Sequence, residues 1–275
     1  MYIKPDCITC ILNQTLKVSK LLELDDPMSK RLLDSTAKIL MESSMEMTPP
    51  QIAQATYAKI AEITGVPDPI SKSKAQATQM ALAIDTSFVQ SLHDAVKLAL
   101  IGNVIDFGAQ AQLDLNQTIK THFHRAFGVD DFKLFEAELT QAKTLVYIGD
   151  NVGEHIFDKL LIEMITQAYD ITVYYFTRGR PIINDVTLKE AQPLSRSATL
   201  IDTGVPTPGF DLSYANNTSK ALFEQSDIVL AKGMGNYESL YDVTHRPLYY
   251  LFIVKCSVVA EAIGHEVGEL IFSRH

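Results

Sequence analysis

Apolar residues recur at helical spacing through the first half of the chain and as short unbroken runs through the second. Ile8, Ile11, Leu12, Thr15, Leu16, Val18 and Leu22 fit one face of a helix that Asp6 is placed to cap. Pro27 opens a second helix containing Leu32, Leu33, Ala37 and Leu40. Thr48-Pro49-Pro50-Gln51 combines an N-cap, an early proline pair and a capping-box glutamine, and predicts a third. Gly65-Val66-Pro67-Asp68-Pro69 breaks the pattern. A long helical stretch over 72–102 follows, with a candidate interruption near Asp85, and residues 115–127 and 131–140 continue the helical reading.

Beyond residue 140 the period changes. Runs rich in Val, Ile, Tyr and Phe at 144–148, 171–176, 198–201, 228–231 and 248–254 show no polar alternation. Such runs suit strands buried on both faces, as in a parallel α/β sheet. Helical patterns at 154–168, 217–225 and 237–242 fill the intervals, and a last strand is expected at 266–272. The chain therefore reads as an all-helical part, 1–140, packed on a doubly wound α/β core with a mainly parallel sheet, 141–275.

Composition narrows the function. Net charge is -9 with a pI near 5.2, which disfavours tracking a nucleic-acid backbone. A small anion can still be held in a local pocket. The longest apolar run is only strand length, so no membrane span is expected, and the first residues lack the pattern of a secretory signal. Three cysteines, two of them as Cys7-x-x-Cys10, make no disulfide framework, which points to the cytoplasm.

In an open parallel sheet ligands bind beyond the carboxyl ends of the strands. The first predicted core strand ends in Gly149-Asp150-Asn151-Val152-Gly153-Glu154. Asp150 and Asn151 offer hard oxygen ligands suited to Mg²⁺ or Mn²⁺, or else cap the next helix. The second strand leads to Arg178 and Arg180 and then to Asn184-Asp185-Val186-Thr187, where Asp185 can bring a second carboxylate and Arg178 can meet a phosphate. The fourth ends in Lys232-Gly233-Met234-Gly235-Asn236, where glycines let backbone N–H groups approach an anion at a helix start. In the helical half, Asn103 and Asp106 in Gly102-Asn103-Val104-Ile105-Asp106 either close a buried network or face the site. Cys7 and Cys10, with Cys256, are candidates for a second metal or for plain structural packing.

These motifs, with Pro5-Asp6-Cys7-Ile8-Thr9-Cys10 and Lys255-Cys256, resemble the damage-control phosphatases, and within them the archaeal and bacterial branch with an N-terminal CxxC. The resemblance spans essentially the whole chain. It implies a Rossmann-like three-layer α/β/α core and a divalent metal (Mg²⁺, Mn²⁺, Co²⁺ or Ni²⁺) on Asp150, Asn151 and Asp185. The implied activity is hydrolysis of small phosphorylated metabolites such as sugar phosphates. Lys232, Gly233, Gly235 and Asn236 are then expected to cradle phosphate, with Asn103, Asp106, Glu154 and Arg178 facing substrate. The Arg-Thr-x-Lys motif of the eukaryotic branches is not evident, so their substrates do not carry over. Two rival readings are methyl transfer from S-adenosylmethionine to a protein carboxylate and a metal- or nucleotide-binding module without turnover. The sequence leaves the oligomeric state open.

Overall fold

The unbroken apolar runs become neighbouring strands of one sheet. In the computed structural model, which describes residues 1–102 and 112–275, β2 (Thr144–Ile148), β3 (Thr172–Thr177), β4 (Thr199–Asp202), β5 (Ile228–Lys232) and β6 (Tyr249–Ile253) lie parallel in the order β6-β5-β2-β3-β4. Every residue of β5 and β6 is buried, as a sheet covered on both faces requires. Side chains of a strand alternate between faces. Leu145 and Tyr147 accordingly enter one core, and Val146 and Ile148 the other. The first core is filled by α5 (Leu92–Ile101), α7 (Phe132–Leu139) and α8 (His155–Ala168). The second is filled by α9 (Asn217–Gln225), α10 (Gly233–Leu240) and α11 (Ser257–Ile263). Each fully buried aliphatic side chain contributes about 1.5–3 kcal/mol, which makes these two cores the main source of stability.

The far edge departs from the sequence reading. β7 (Leu270–Arg274) runs antiparallel to β6, and β1 (Phe127–Asp130) pairs parallel with β7. β1 falls where a helix was expected to end. α6 (Gln112–Phe123) stops short of it, and β1 alternates between half-buried and exposed because it has one neighbour. An edge strand of this kind carries little apolar signal. The sheet thus takes a strand from the part of the chain read as helical. The final strand also starts later than expected, after a turn in which Gly268 has φ +94°.

The helices of the first half begin where their caps dictate. Asp25 caps α2 (Asp26–Glu42) by accepting from Met28 N at 2.9 Å, with Pro27 inside the first turn. α3 (Pro49–Thr64) carries the full capping box, with Gln51 N on Thr48 Oγ1 at 3.3 Å and Thr48 N on Gln51 Oε1 at 3.0 Å. α1 (Pro5–Leu21) differs from expectation: Pro5 starts the helix, so Asp6 sits in its first turn rather than at its cap. The stretch 72–102 divides into α4 (Ser71–Leu82) and α5, because Asp85 turns the chain by accepting from Ser87 N and Ser91 caps anew. α1, α2 and α3 share small apolar clusters, Ile3 with Ile11 and Ile52, and Val18 with Leu32 and Ile60. α3 is tied to the α/β part where Gln51 Nε2 donates to Asp211 Oδ2 at 2.8 Å. Among the described residues no helix is long and apolar enough to cross a membrane.

Thr48→Ala removes one half of the capping box. Urea denaturation should show a loss of about 1 kcal/mol with an unchanged m-value.

Candidate active site

The site is built from loops that leave the carboxyl ends of β2, β3 and β5. After β2 the chain turns through Gly149 and Asp150. After β3 it runs out and folds back across that turn. Val186 N donates to Asp150 O and Val152 N to Asn184 O, both at 2.8 Å, so Asn151 and Asp185 become antiparallel partners. Arg178 N, donating to Val186 O at 2.9 Å, closes the base of the returning loop. Backbone pairing between two loops therefore brings Asp185 beside Asp150 and Asn151. The tight turn before Asp185 holds Ile183 at φ +43°, a strained conformation for a β-branched residue and one that clusters at functional sites.

Asp150 is 8% exposed and Asp185 2%. Asn151 Nδ2 donates to Asp150 Oδ2 at 2.8 Å, which leaves Oδ1 as the acceptor of that amide. Arg178 is buried and donates from Nε to Asp185 Oδ2 at 2.8 Å and from Nη2 to Asn236 Oδ1 at 3.1 Å. Its Nη1 has no hydrogen-bond partner among the described residues. Burial, reinforced by the Asp150 charge, pushes the Asp185 carboxyl up, and Arg178 opposes that shift. Glu154 is raised by burial in the same way, with Lys232 opposing. Glu238 on α10 is pushed up to about 7, by burial first and then by Asp150. The site is a desolvated cluster of carboxylates, a place that favours a cation.

Gly233 explains how Asp150 fits. It begins α10 at φ +78°, and a Cβ there would stand 1.9 Å from Asp150 Oδ2. The carboxylate lies against the first turn of the helix, where the aligned peptide dipoles favour negative charge.

The other residues expected to cradle phosphate have different partners. Lys232 is fully buried; its Nζ donates to Ala99 O at 2.8 Å and Asp158 Oδ1 at 2.7 Å, and lies 3.5 Å from Glu154 Oε2. Its charge is spent inside the protein. Gly235 admits the 206–209 loop, since a Cβ there would stand 2.4 Å from Pro208 O. The Asn236 amide is committed on both sides: Oδ1 accepts from Arg178 and from Phe210 N at 2.7 Å, and Nδ2 donates to Gly149 O and Lys232 O. Glu154 Oε1 accepts from Asn151 N at 2.7 Å and so braces the loop after β2. Asn103 and Asp106 lie outside the described residues. Cys7, Cys10 and Cys256 are free thiols. Among the described residues no three His, Cys, Asp or Glu side chains are set to hold a metal, so the thiols are not gathered into a ligand set.

The sequence reading missed Asp158, Lys74 and Tyr57. Asp158 lies one turn beyond Glu154 and is fully buried, so the i, i+4 spacing of two acids could have flagged it. His155 Nδ1 accepts from Gly153 N at 2.9 Å, which requires a neutral ring; burial lowers its pKa to about 4 and keeps it so. Lys74 on α4 is buried against Asp68 at 3.2 Å, and its charge also reaches Asp185. The Tyr57 phenol on α3 is raised by burial and by Asp185. The last two come from elements distant in sequence, with no local motif to mark them.

Residues 3–271 match the damage-control phosphatase ARMT1-like domain. A damage-control phosphatase of Pyrococcus horikoshii is 30% identical over 100% of this chain and 99% of its own. A damage-control phosphatase of Archaeoglobus fulgidus is 30% identical over 98% of each. The crystal structure of a DUF89 family protein from Pyrococcus horikoshii superposes with a TM-score of 0.94 at 29% identity, covering 100% of this chain and 99% of that one.

If Lys232 balances buried carboxylates, Lys232→Met should destabilise the protein by about 3–5 kcal/mol in urea denaturation, because it strands Asp158 and Glu154. A lysine serving only as a phosphate contact would leave stability near that of the wild type.

Proposed function

The chain belongs to the damage-control phosphatase family, and on that premise we propose that it is a divalent-metal-dependent phosphomonoester hydrolase acting on small phosphorylated metabolites. The observation that carries this reading is the pairing of the two loops that sets Asp185 beside Asp150 and Asn151. Two carboxylates and an amide oxygen make a hard donor set, which fits Mg²⁺, Mn²⁺, Co²⁺ or Ni²⁺. The crowding of buried carboxylates supports it too, because a cation offsets the burial, and the lesser mutual repulsion, that raise Asp185 and Glu154.

Asp150, Asn151 through Oδ1, and Asp185 would hold the metal. When bound, it would neutralise phosphate charge and orient the ester for in-line attack. Arg178 supplies the second positive charge. Its Nε fixes Asp185, and Nη1 remains to donate to a phosphate oxygen. Hydrolysis forms a bond from water oxygen to phosphorus and breaks the bond to the metabolite oxygen, which leaves as the alcohol. Water gives up a proton in this step; a carboxylate of the Asp150 and Glu238 cluster would accept it, and a proton returned from that cluster to the leaving oxygen would complete the alcohol. Attack by Asp150 itself, through a phospho-enzyme, uses the same residues. Lys74 and Tyr57, which are coupled electrostatically to Asp185 from the helical part, would meet the rest of the metabolite.

Protein stripped of metal should release phosphate from sugar and cofactor phosphates only after Mg²⁺, Mn²⁺, Co²⁺ or Ni²⁺ is restored. Asp150→Asn and Asp185→Asn should each lower kcat by about 100-fold or more, since they remove charge that acts on the transition state. A folded Asp150→Asn protein with normal metal-dependent turnover would overturn the assignment. Methyl transfer from S-adenosylmethionine without metal, and no phosphate release, would favour the rival enzyme class.

A further inference from the structure

Asp158 is fully buried and gathers three donors. Tyr147 Oη donates to Oδ1 at 2.6 Å, Tyr175 Oη to Oδ2 at 3.0 Å, and Lys232 Nζ to Oδ1 at 2.7 Å. The tyrosines are register partners on β2 and β3, with rings stacked 5.5 Å apart. Lys232 stands 3.5 Å from Glu154 Oε2, and Glu154 Oε1 accepts from the Asn151 peptide N–H at 2.7 Å. Tyr175 also lies directly beneath the ligand turn: a Cβ on Gly149 would stand 2.3 Å from its Oη. A continuous set of hydrogen bonds and ion pairs therefore runs from the centre of the sheet to the Asn151 peptide. Packing alone does not call for such a network, since phenylalanines and an aliphatic residue fill this space with less desolvation.

We propose that Asp158 is a positioning residue for the ligand loop, aiming Lys232 at Glu154 so that Glu154 holds the Asn151 peptide and, with it, the Asp150–Asn151 pair. The proposal deepens the metal-dependent phosphatase reading and rests on it for its purpose. Partners behind a ligand typically tune metal affinity by about 10–100-fold, and groups that act as one unit are not additive.

Two readouts keep the proposal separate from that reading. In metal-free protein, amide hydrogen exchange resolved by NMR should show the Asn151 N–H exchanging at least about tenfold faster in Asp158→Asn and in Glu154→Gln, with the Val146 amide in β2 unchanged. Titration calorimetry should show Mn²⁺ affinity reduced about 10–100-fold in each variant and no further in the double variant. If Asp158→Asn does not fold, Tyr175→Phe removes one of the three donors and should show the same pattern several-fold weaker. Wild-type exchange at Asn151 in a folded variant would overturn the proposal, as would losses of affinity that multiply in the double variant. Faster exchange at Asn151 in a protein that binds none of the four metals would support the network and overturn the metal reading instead.

Discussion

Holding several carboxylates together out of water is costly, and the whole molecule is arranged around meeting that cost. Asp150, Glu154, Asp158 and Asp185 are each at most 8% exposed. A buried charge persists only when it is paired and hydrogen-bonded. Two buried cations supply the pairing from opposite sides. Lys232, at the end of β5, serves Asp158 and Glu154, and Arg178, just past β3, serves Asp185. Around Asp150 negative charge still gathers, with Glu154, Asp185 and Glu238 all responding to it. A divalent cation at this point is what the proposed function calls for.

The sheet makes the arrangement possible. β2, β3 and β5 are adjacent and parallel, so their carboxyl ends open on one edge. Asp150, Arg178 and Lys232 then come within reach without any one segment having to supply them all. The helices α8 and α10 leave from the same edge and bring Glu154, Asp158 and Asn236 to it. The helical part covers this region from outside, anchored by Gln51 on Asp211. A relative with a TM-score of 0.94 at 29% identity shows that the frame tolerates replacement of most side chains.

Much of this was legible in the sequence. Uninterrupted apolar runs identified β2, β3, β5 and β6 because those strands lie inside the sheet and are almost wholly buried; the run at β4 was read too, although β4 is an edge strand of half-buried and exposed residues. The Thr48–Gln51 box located α3 because capping is a local interaction. Asp150, Asn151 and Asp185 were marked by residue type and by position after predicted strands. β1 was not legible, since an edge strand with one neighbour needs little apolar character. The division at residue 140 likewise could not anticipate that β1 would cross the chain to pair with β7.

By itself the sequence determined the class of the core, the loops proposed to carry the chemistry and the family to which the chain belongs, because these depend on local periodicity and short motifs. Only the tertiary structure decided how the residues divide their work. Lys232 and Asn236 were read as phosphate ligands, but their partners, Ala99, Asp158, Gly149 and Arg178, come from separate parts of the chain. The approach of Asp185 to Asp150 rests on backbone bonds between two loops, to which the side-chain sequence gives no clue. A motif names the groups available; which of them face a ligand and which are consumed in holding it follows from burial and pairing, and those exist only once the chain has folded.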